Sequence, residues 1–361
     1  LLETEGYRIS LAPNGEIALK IATRAETMPD LILLDVMMPG MNGFEVCQSL
    51  KRNRATEEIP VIFITAEDLT ESVVKGFQVG GIDYISKPFR DEEVLVRVRN
   101  ALLTKHLFDQ NRDYQEKMER ELQTAHQLQM GLMPEEAPQT KGLNIAGRCL
   151  PANHVGGDFF QYHQLAPNRL AVSLADVTGH AMEAAIPVVM FSGVLESQIE
   201  VEGSLGELFG RLNRTMYKSL DSRTFVCFAM GEFNADTKSF RYANSGCPYP
   251  LHFRRRTGEV DELQVDAYPL GVRPEADYLV KEVQLEIGDQ VVFCSDGIVE
   301  AENAAGELFG FERVVEIVAR GGRKGLSVED LLEQIFEEVE GFSKGVAQGD
   351  DQTIVVLEVT G

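Results

Sequence analysis

The chain has 361 residues, 44% of them hydrophobic, which is long enough for two domains and a connector. Its 34 Lys and Arg against 57 Asp and Glu give a formal net charge of -23, which repels nucleic-acid phosphates and anionic lipid surfaces. We therefore expect no nucleic-acid or membrane partner, and instead a protein or a small cation.

The cysteines and the apolar runs bear on the cellular compartment. Five widely spaced cysteines, none in a CxxC pair, argue against a disulfide framework and against a zinc site. No apolar run approaches about 18 residues, and no basic segment precedes an apolar one at the start of the chain. We therefore expect a cytoplasmic location with reduced thiols.

The opening part of the chain alternates strand-like runs with helical patterns, which indicates a parallel sheet wound with helices. In order, the runs are RISLA, EIALKIATRA, DLILLDV, FEVCQSLKR, PVIFITA, SVVKGFQVG, DYISKPF and EEVLVRVRNALL. Asp35 ends LILLD before the loop VMMPGMNG, and Thr65 and Lys87 close the next two strands. Open α/β sheets place their chemistry at such carboxyl ends of strands.

This order of D, MPGMNG, T-A and K-P-F resembles the receiver domains of two-component response regulators. The resemblance implies a flavodoxin-like α/β fold with a parallel five-stranded sheet, Asp35 as phosphoacceptor and a sensor histidine kinase as partner. Thr65, Tyr84 and Lys87 would then be the switch residues. A phosphoryl group adds roughly two negative charges, which a hydroxyl and an ammonium can offset. The sequence leaves open whether the Lys87-Pro88 bond is cis.

The first strand of a receiver, with the acidic pair that helps to hold Mg2+, has no counterpart in this sequence. Its start, LLETEGY, corresponds to the first helix of that fold. We expect a truncated amino terminus, with roughly 15–20 further residues before residue 1 and a receiver Mg2+ if those acids are present. The alternative is a receiver that cannot be phosphorylated. The receiver domain is assigned to residues 1–93.

A long amphipathic helix is predicted from about Glu92 to Met133, where Pro is absent and Gly first occurs at Gly131. Its apolar positions are Leu103, Leu107, Tyr114, Met118, Leu122, Ala125 and Leu132. About forty helical residues extend on the order of 60 Å, so we expect a coiled-coil homodimer through this linker and the receiver. Polar Glu121 and Gln129 near the seam leave a helix docked on its own chain as the alternative.

Four aspartates in the last part of the chain lie where strand-like runs meet a glycine or another acid. They are Asp158 in VGGDFF, Asp176 in LAVSLADVTGH, Asp296 in VVFCSDGIVEA and Asp350 in GDDQTIVVLEV. Each alone could be a turn residue. Together they predict an all-oxygen site for Mg2+ or Mn2+, since converging carboxylates need protons or cations. Two such ions about 3.5–4 Å apart would activate a water for attack on a phosphate ester.

The linker end and the C-terminal region resemble SpoIIE and RsbU phosphatases of the PPM, protein phosphatase 2C-like, superfamily. ELQTAHQLQMGLMPEE resembles the segment before such domains, which places the linker at residues 94–134 and the phosphatase domain at 135–361. The other motifs are VGGDFF, LADVTGHAMEAA, FVCFAMGEF, FRYANSGCPYPL, YPLGV, LEIGDQVVFCSDGIVEAENAAGELFG and GDDQTIVV. The family fold is α+β, with two packed antiparallel sheets flanked by helices.

The resemblance also assigns roles to single residues. Two or three Mn2+ or Mg2+ ions would be held by the four aspartates and by the backbone carbonyl of Val177, with Asp351 a less favoured ligand than its neighbour Asp350. Three departures from the usual pattern are Gln161, Ala181 and Cys247. For His180, a loop or helix-start histidine bonded to backbone is the favoured interpretation, and donation of a proton to the leaving group is the alternative.

The combined interpretation is a phosphorylation-regulated, metal-dependent protein serine/threonine phosphatase of a two-component pathway. By resemblance, its substrate would be phosphoserine on an anti-anti-sigma factor of the STAS type, in a partner-switching pathway. The alternative is a catalytically inactive adaptor whose phosphatase fold binds a regulatory protein.

Overall fold

A computed structural model of the chain describes residues 1–66, 70–179 and 182–361. These residues form two compact units, Leu1–Glu119 and Arg120–Gly361. Across the described ranges, no helix is both long enough and apolar enough to cross a membrane.

The first unit is a parallel sheet with helices. In chain order its elements are α1 (Gly15–Ala22), β1 (Ile32–Asp35), α2 (Gly43–Lys51), β2 (Val61–Thr65), α3 (Thr70–Gln78), β3 (Asp83–Ser86) and the start of α4 (Asp91–Met130). The strands described in this unit form one parallel sheet, in the order β1-β2-β3. The predicted α/β receiver architecture is confirmed.

Local chemistry fixes where the second helix begins. Asn42 accepts a hydrogen bond from the Glu45 amide, and the Glu45 carboxylate accepts one from the Asn42 amide. This reciprocal pair satisfies two amides that a helix start leaves free. The helix then buries Val46, Cys47 and Leu50 against the sheet.

Two of the predicted elements near the start are wrong. The run RISLA pairs with no strand among the residues that are described, and Ile9 and Leu11 are exposed. Where the first helix was expected, the structure has a single 3-10 turn, Glu3–Glu5. An apolar pattern gives a strand only if a neighbouring strand takes up its backbone hydrogen bonds.

The second unit contains two antiparallel sheets. In chain order its elements are β4 (Leu143–Leu150), β5 (Asp158–Ala166), β6 (Arg169–Val177), α5 (Met182–Ile199), α6 (Leu205–Ser219), β7 (Val226–Asn234), β8 (Ser239–Ser245), β9 (Leu251–Arg254), β10 (Glu259–Glu262), β11 (Lys281–Gln284), β12 (Gln290–Cys294), α7 (Asp296–Val299), α8 (Phe311–Lys324), α9 (Val328–Phe342) and β13 (Gln352–Val359). In the described part of this unit, the strand orders are β10-β9-β12-β13-β4 and β11-β8-β7-β6-β5.

Aromatic side chains join the layers of this unit. Phe240 of β8 meets Phe293 of β12 across the two sheets, with ring centroids 6.4 Å apart. On the outer side of the second sheet, Phe228 of β7 packs against Phe191 of α5 and Phe209 of α6. Helices α8 and α9 cover the other sheet, so the predicted α+β fold with helix-flanked antiparallel sheets is confirmed.

The same Gly→Ala change should have opposite effects at two positions of this unit. A Cβ on Gly231 in β7 would lie 2.1 Å from Cζ of the buried Phe240, so we expect G231A to lower the free energy of unfolding by about 1–3 kcal/mol. A Cβ on the exposed Gly193 of α5 meets nothing within 4 Å, so G193A should raise it by roughly 0.5–1 kcal/mol. Thermal and urea unfolding measure both changes, and a stabilised G231A would contradict the described packing.

Candidate functional sites

The first unit brings three of its predicted site residues together at one edge of the sheet. Asp35 ends β1, Thr65 ends β2 and Lys87 follows β3. The Lys87 ammonium donates to the Asp35 carboxylate at 2.5 Å, and the Lys87 amide donates to the Thr65 carbonyl at 2.7 Å. This arrangement places a cation and a hydroxyl-bearing residue beside a half-exposed carboxylate.

Tyr84 lies on β3, three residues before Lys87, and is half-buried. Its ring makes an edge contact with Phe77, with centroids 6.5 Å apart, and the Arg97 guanidinium lies 5.7 Å from its centroid. Tyr84 and Thr65 line one small cavity. The Lys87-Pro88 peptide bond, which the sequence left open, is cis.

The second unit places its four predicted aspartates where the two sheets meet. Asp158 begins β5 and lies directly opposite Asp176 of β6, in the second sheet. Asp296 begins α7 just after β12, and Asp350 precedes β13, both at the first sheet. The Thr353 hydroxyl of β13 donates to the Asp158 carboxylate at 2.6 Å and so connects the two sheets at this point.

Asp351 has a different environment from its neighbour Asp350. The Asp351 side chain is buried, whereas Asp350 is exposed. Asp351 accepts hydrogen bonds from the amides of Ala152 at 2.8 Å, Gly157 at 2.6 Å and Asp158 at 3.2 Å. Its carboxylate therefore holds the backbone that delivers Asp158.

Gly157 provides the space in which the site is built. A Cβ at Gly157 would lie 2.4 Å from the Val177 carbonyl oxygen and 3.2 Å from Oδ1 of Asp176. A side chain at this position would displace both predicted oxygen donors. Gly157 of VGGDFF therefore has a steric reason to be glycine.

Burial and mutual repulsion perturb the carboxyl groups. Burial, and then the neighbouring Asp176, raise the pKa of Asp158 well above its ordinary value. For Asp176, burial followed by the charges of Asp296, Asp350 and other acids raises the pKa to about 7. Asp296 is shifted upward as well, by burial and then by Asp350. A strongly perturbed acid group of this kind is typical of a functional site.

The donor set agrees with a hard divalent cation, because it consists of carboxylate and carbonyl oxygens whose charges repel one another. In the side-chain positions of the described residues, no group of three or more His, Cys, Asp or Glu could hold a metal ion. The structure thus shows a group of acids whose charges repel one another, and beside it the space left by the missing side chain of Gly157.

Sequence reasoning missed Glu300, which adds to the repulsion on Asp176 and Asp296. Its amide donates to the Asp296 carbonyl, four residues earlier, at 2.8 Å. The spacing of one helical turn after Asp296 was the available signal. Thr353 was also missed, and its position within the strand after the acid pair gave no comparable indication.

Two of the three departures from the family pattern lie in the described residues. Gln161 projects from the face of β5 opposite to Asp158, toward α5, where it donates to the Ser192 hydroxyl at 3.0 Å. Cys247 is buried, its amide donates to the Asn244 side chain at 3.1 Å, and burial raises the pKa of its thiol. Ala181 and His180 lie outside the described residues.

Comparison with known proteins identifies both units. The family model for the response regulator receiver domain matches residues 1–99, and the model for Stage II sporulation protein E (SpoIIE) matches residues 166–360, more than half of the chain. The chain belongs to the SpoIIE family. It combines a receiver domain with a SpoIIE domain of the PPM fold.

Two curated relatives match different parts of this SpoIIE-family chain. The phosphoserine phosphatase RsbU of Bacillus subtilis is 24% identical over 248 residues, which cover 68% of the chain and 72% of RsbU. The response regulator PleD of Caulobacter vibrioides is 43% identical over 111 residues, which cover 31% of the chain and 24% of PleD. The chain thus spans about a quarter of PleD.

Solved structures show the same fold for the SpoIIE domain. The SiaA-PP2C domain of Pseudomonas aeruginosa superposes with a TM-score of 0.60 at 21% identity, covering 68% of this chain and 98% of that one. The PP2C phosphatase domain of SpoIIE from Bacillus subtilis, with a fragment of its regulatory domain, gives 0.52 at 20% identity, covering 62% and 64%.

Replacing Asp176 in the SpoIIE domain should stabilise the metal-free protein. Its pKa is about 7 in the folded state against an ordinary 3.8, so the folded state holds the proton that the unfolded state releases. This group therefore lowers the free energy of unfolding as pH rises from about 4 to about 7. In EDTA at pH 8 we expect D176N to melt at a higher temperature than the wild type, with a weaker dependence on pH.

The matched control is D277N, the same change at an exposed position of the same unit. It should leave the pH dependence of the melting temperature unchanged. A lower melting temperature for D176N than for the wild type in EDTA at pH 8 would show that the repulsion is not destabilising.

Proposed function

We propose that this chain is a protein serine/threonine phosphatase whose activity is regulated by phosphorylation of its receiver domain. The observation that carries the proposal is the convergence of Asp158 and Asp176, from one sheet, with Asp296 and Asp350, from the other. Membership of the SpoIIE family and similarity to the phosphoserine phosphatase RsbU support it. The proposed functional boundaries are 1–93, 94–134 and 135–361.

The proposed cofactor is two or three Mn2+ or Mg2+ ions, held by Asp158, Asp176, Asp296, Asp350 and the carbonyl oxygen of Val177. When bound, such a pair makes hydroxide available near neutral pH and neutralises charge on phosphoryl oxygens. The chain itself contributes the positions of the oxygen donors. Thr353 holds one oxygen of Asp158, and Asp351 holds the backbone before it.

The proposed regulatory input is a phosphoryl group on Asp35, received from a sensor histidine kinase. Lys87 already bonds the Asp35 carboxylate and would offset part of the added charge, together with the hydroxyl of Thr65. Tyr84 would be the switch aromatic, since it shares a cavity with Thr65. A receiver Mg2+ would use Asp35 together with acids that would have to lie before residue 1.

The proposed partners follow from family resemblance and from α4. A phosphorylated STAS-type anti-anti-sigma factor is the proposed substrate, in a cytoplasmic partner-switching pathway. A homodimer through α4 and the receiver is proposed because several apolar side chains of that helix are exposed. They are Leu103, Leu107, Phe108, Tyr114, Met118 and Leu128.

Hydrolysis of a small aryl phosphate tests the enzymatic proposal. We expect the full chain to hydrolyse p-nitrophenyl phosphate with Mn2+ and not in EDTA. D296N should lower kcat/KM by on the order of 100-fold, because the negative charge and one carboxylate oxygen of a proposed ligand are lost. D277N, at an exposed position, should retain wild-type activity. Equal and negligible rates for the wild type and D296N would instead favour the inactive adaptor.

Beryllium fluoride tests the regulatory proposal, because it mimics the phosphoryl group on an aspartate. We expect it to change the rate of phosphate release from a serine-phosphorylated STAS partner by about 5-fold or more, as typical coupling energies imply. D35N should show no response. Light scattering on the same samples reports the oligomeric state. If beryllium fluoride alters neither hydrolysis nor dimerisation, Asp35 does not control this enzyme.

A further inference from the structure

The end of α4 is anchored to the loop that carries Asp158. Gln129 is 4% exposed, whereas its neighbours Gln127 and Leu128 are exposed. Its side-chain amide donates to the Gly156 carbonyl at 2.6 Å, and its side-chain oxygen accepts from the Gly156 amide at 3.0 Å. Gln129, treated from the sequence as a polar position near a coiled-coil seam, is therefore buried against its own chain.

Gly156 is held between this glutamine and a buried acid. A Cβ at Gly156 would lie 1.8 Å from Oδ2 of Asp351, so the backbone and that carboxylate are in direct contact. The same oxygen accepts from the amides of Gly157 and Asp158. Gln129 thus holds the backbone of Gly156, and Asp351 holds the amides of Gly157 and Asp158. Together they fix the path of the chain into β5.

The position of the Gly156–Asp158 backbone determines the distances between the proposed oxygen donors. Gly157 is packed so closely against the Val177 carbonyl and the Asp176 carboxylate that even a Cβ would not fit. A shift of Gly156 would be passed to Gly157 and Asp158 through the continuous backbone. The distances between the proposed oxygen donors would change with it.

Other contacts anchor the same part of the helix. One turn before Gln129, Nδ1 of His126 lies 2.5 Å from the His154 carbonyl oxygen. Just after the helix, the Leu132 carbonyl accepts from Gln161 of β5 at 3.2 Å. The helix end is therefore joined both to the loop before Asp158 and to the strand after it.

We propose that Gln129 is a positioning residue that holds the Gly156–Asp158 backbone in the arrangement that binds the divalent cation. This inference rests on the proposed function, because it concerns the same acid group. Side chains that orient metal ligands without touching the metal typically contribute about 10–100-fold to affinity or activity. Gln129 acts here through backbone hydrogen bonds, from a helix that lies outside the two sheets.

The test compares Q129M with Q127M in the full-length chain. Methionine has nearly the length of glutamine but cannot bond both backbone groups of Gly156, and Gln127 is an exposed position two residues away. Mn2+ binding is measured by calorimetry and by the melting temperature as a function of Mn2+ concentration. Neither readout depends on catalysis.

We expect Q129M to need about 10-fold more Mn2+ for half-saturation, while Q127M matches the wild type. Saturating Mn2+ should restore most of the kcat of Q129M. Unchanged Mn2+ binding in a folded Q129M would overturn the inference, even if its metal-free melting temperature falls, since that result describes a purely structural glutamine. If Q129M does not fold, H126A replaces it, with a smaller shift expected in the same direction.

The outcomes also separate this inference from the proposed function. A wild-type chain that binds Mn2+ but hydrolyses no phosphate ester refutes the phosphatase, while the Q129M titration still decides the role of Gln129. A wild-type chain that binds no Mn2+ refutes both.

Discussion

Asp158 and Asp176 face each other on adjacent strands, and Asp296 and Asp350 approach from the other sheet, at a place where Asp158 is only 3% exposed. Carboxylates in such surroundings cannot all be ionised without a compensating charge, so the fold must keep protons there or accept cations. The remaining features of the SpoIIE domain follow from this constraint. Two sheets supply fixed strand ends, glycines clear the space, and hydrogen bonds hold the loops that would otherwise relax away from the repulsion.

The adjacent residues Asp350 and Asp351 have different roles in the acid group. Asp351 is buried and its oxygens accept from backbone amides, whereas Asp350 is exposed and lies near Asp176. Asp351 therefore organises the backbone before Asp158, while the exposed Asp350 remains available. Thr353, two residues beyond Asp351, then reaches Asp158 on the other sheet.

In the receiver, too, strand ends bring a carboxylate together with a compensating charge. Parallel strands end at a common edge, and there the ammonium of Lys87 compensates the charge of Asp35. Helix α4 begins in the first unit and ends in the second. Its middle carries exposed apolar side chains, whereas its last turns are hydrogen-bonded to the loop before Asp158. The middle of α4 is therefore a candidate surface for a second chain, whereas its last turns hold the loop before Asp158.

Much of this protein is determined locally and is readable from its sequence. The alternation of strands with helices predicted the α/β class of the first unit, and the strand-ending acids predicted a metal site, because these patterns depend on spacing along the chain. The α+β class of the second unit was expected only from the resemblance of its motifs to SpoIIE and RsbU phosphatases. The run RISLA shows the limit, since its pattern is strand-like but pairing requires a partner that spacing cannot supply. Tertiary structure alone decided that Asp351 binds backbone and that Gln129 is buried on Gly156. Each of these depends on contacts between segments distant in sequence or on the direction of a side chain, and neither is encoded in local pattern.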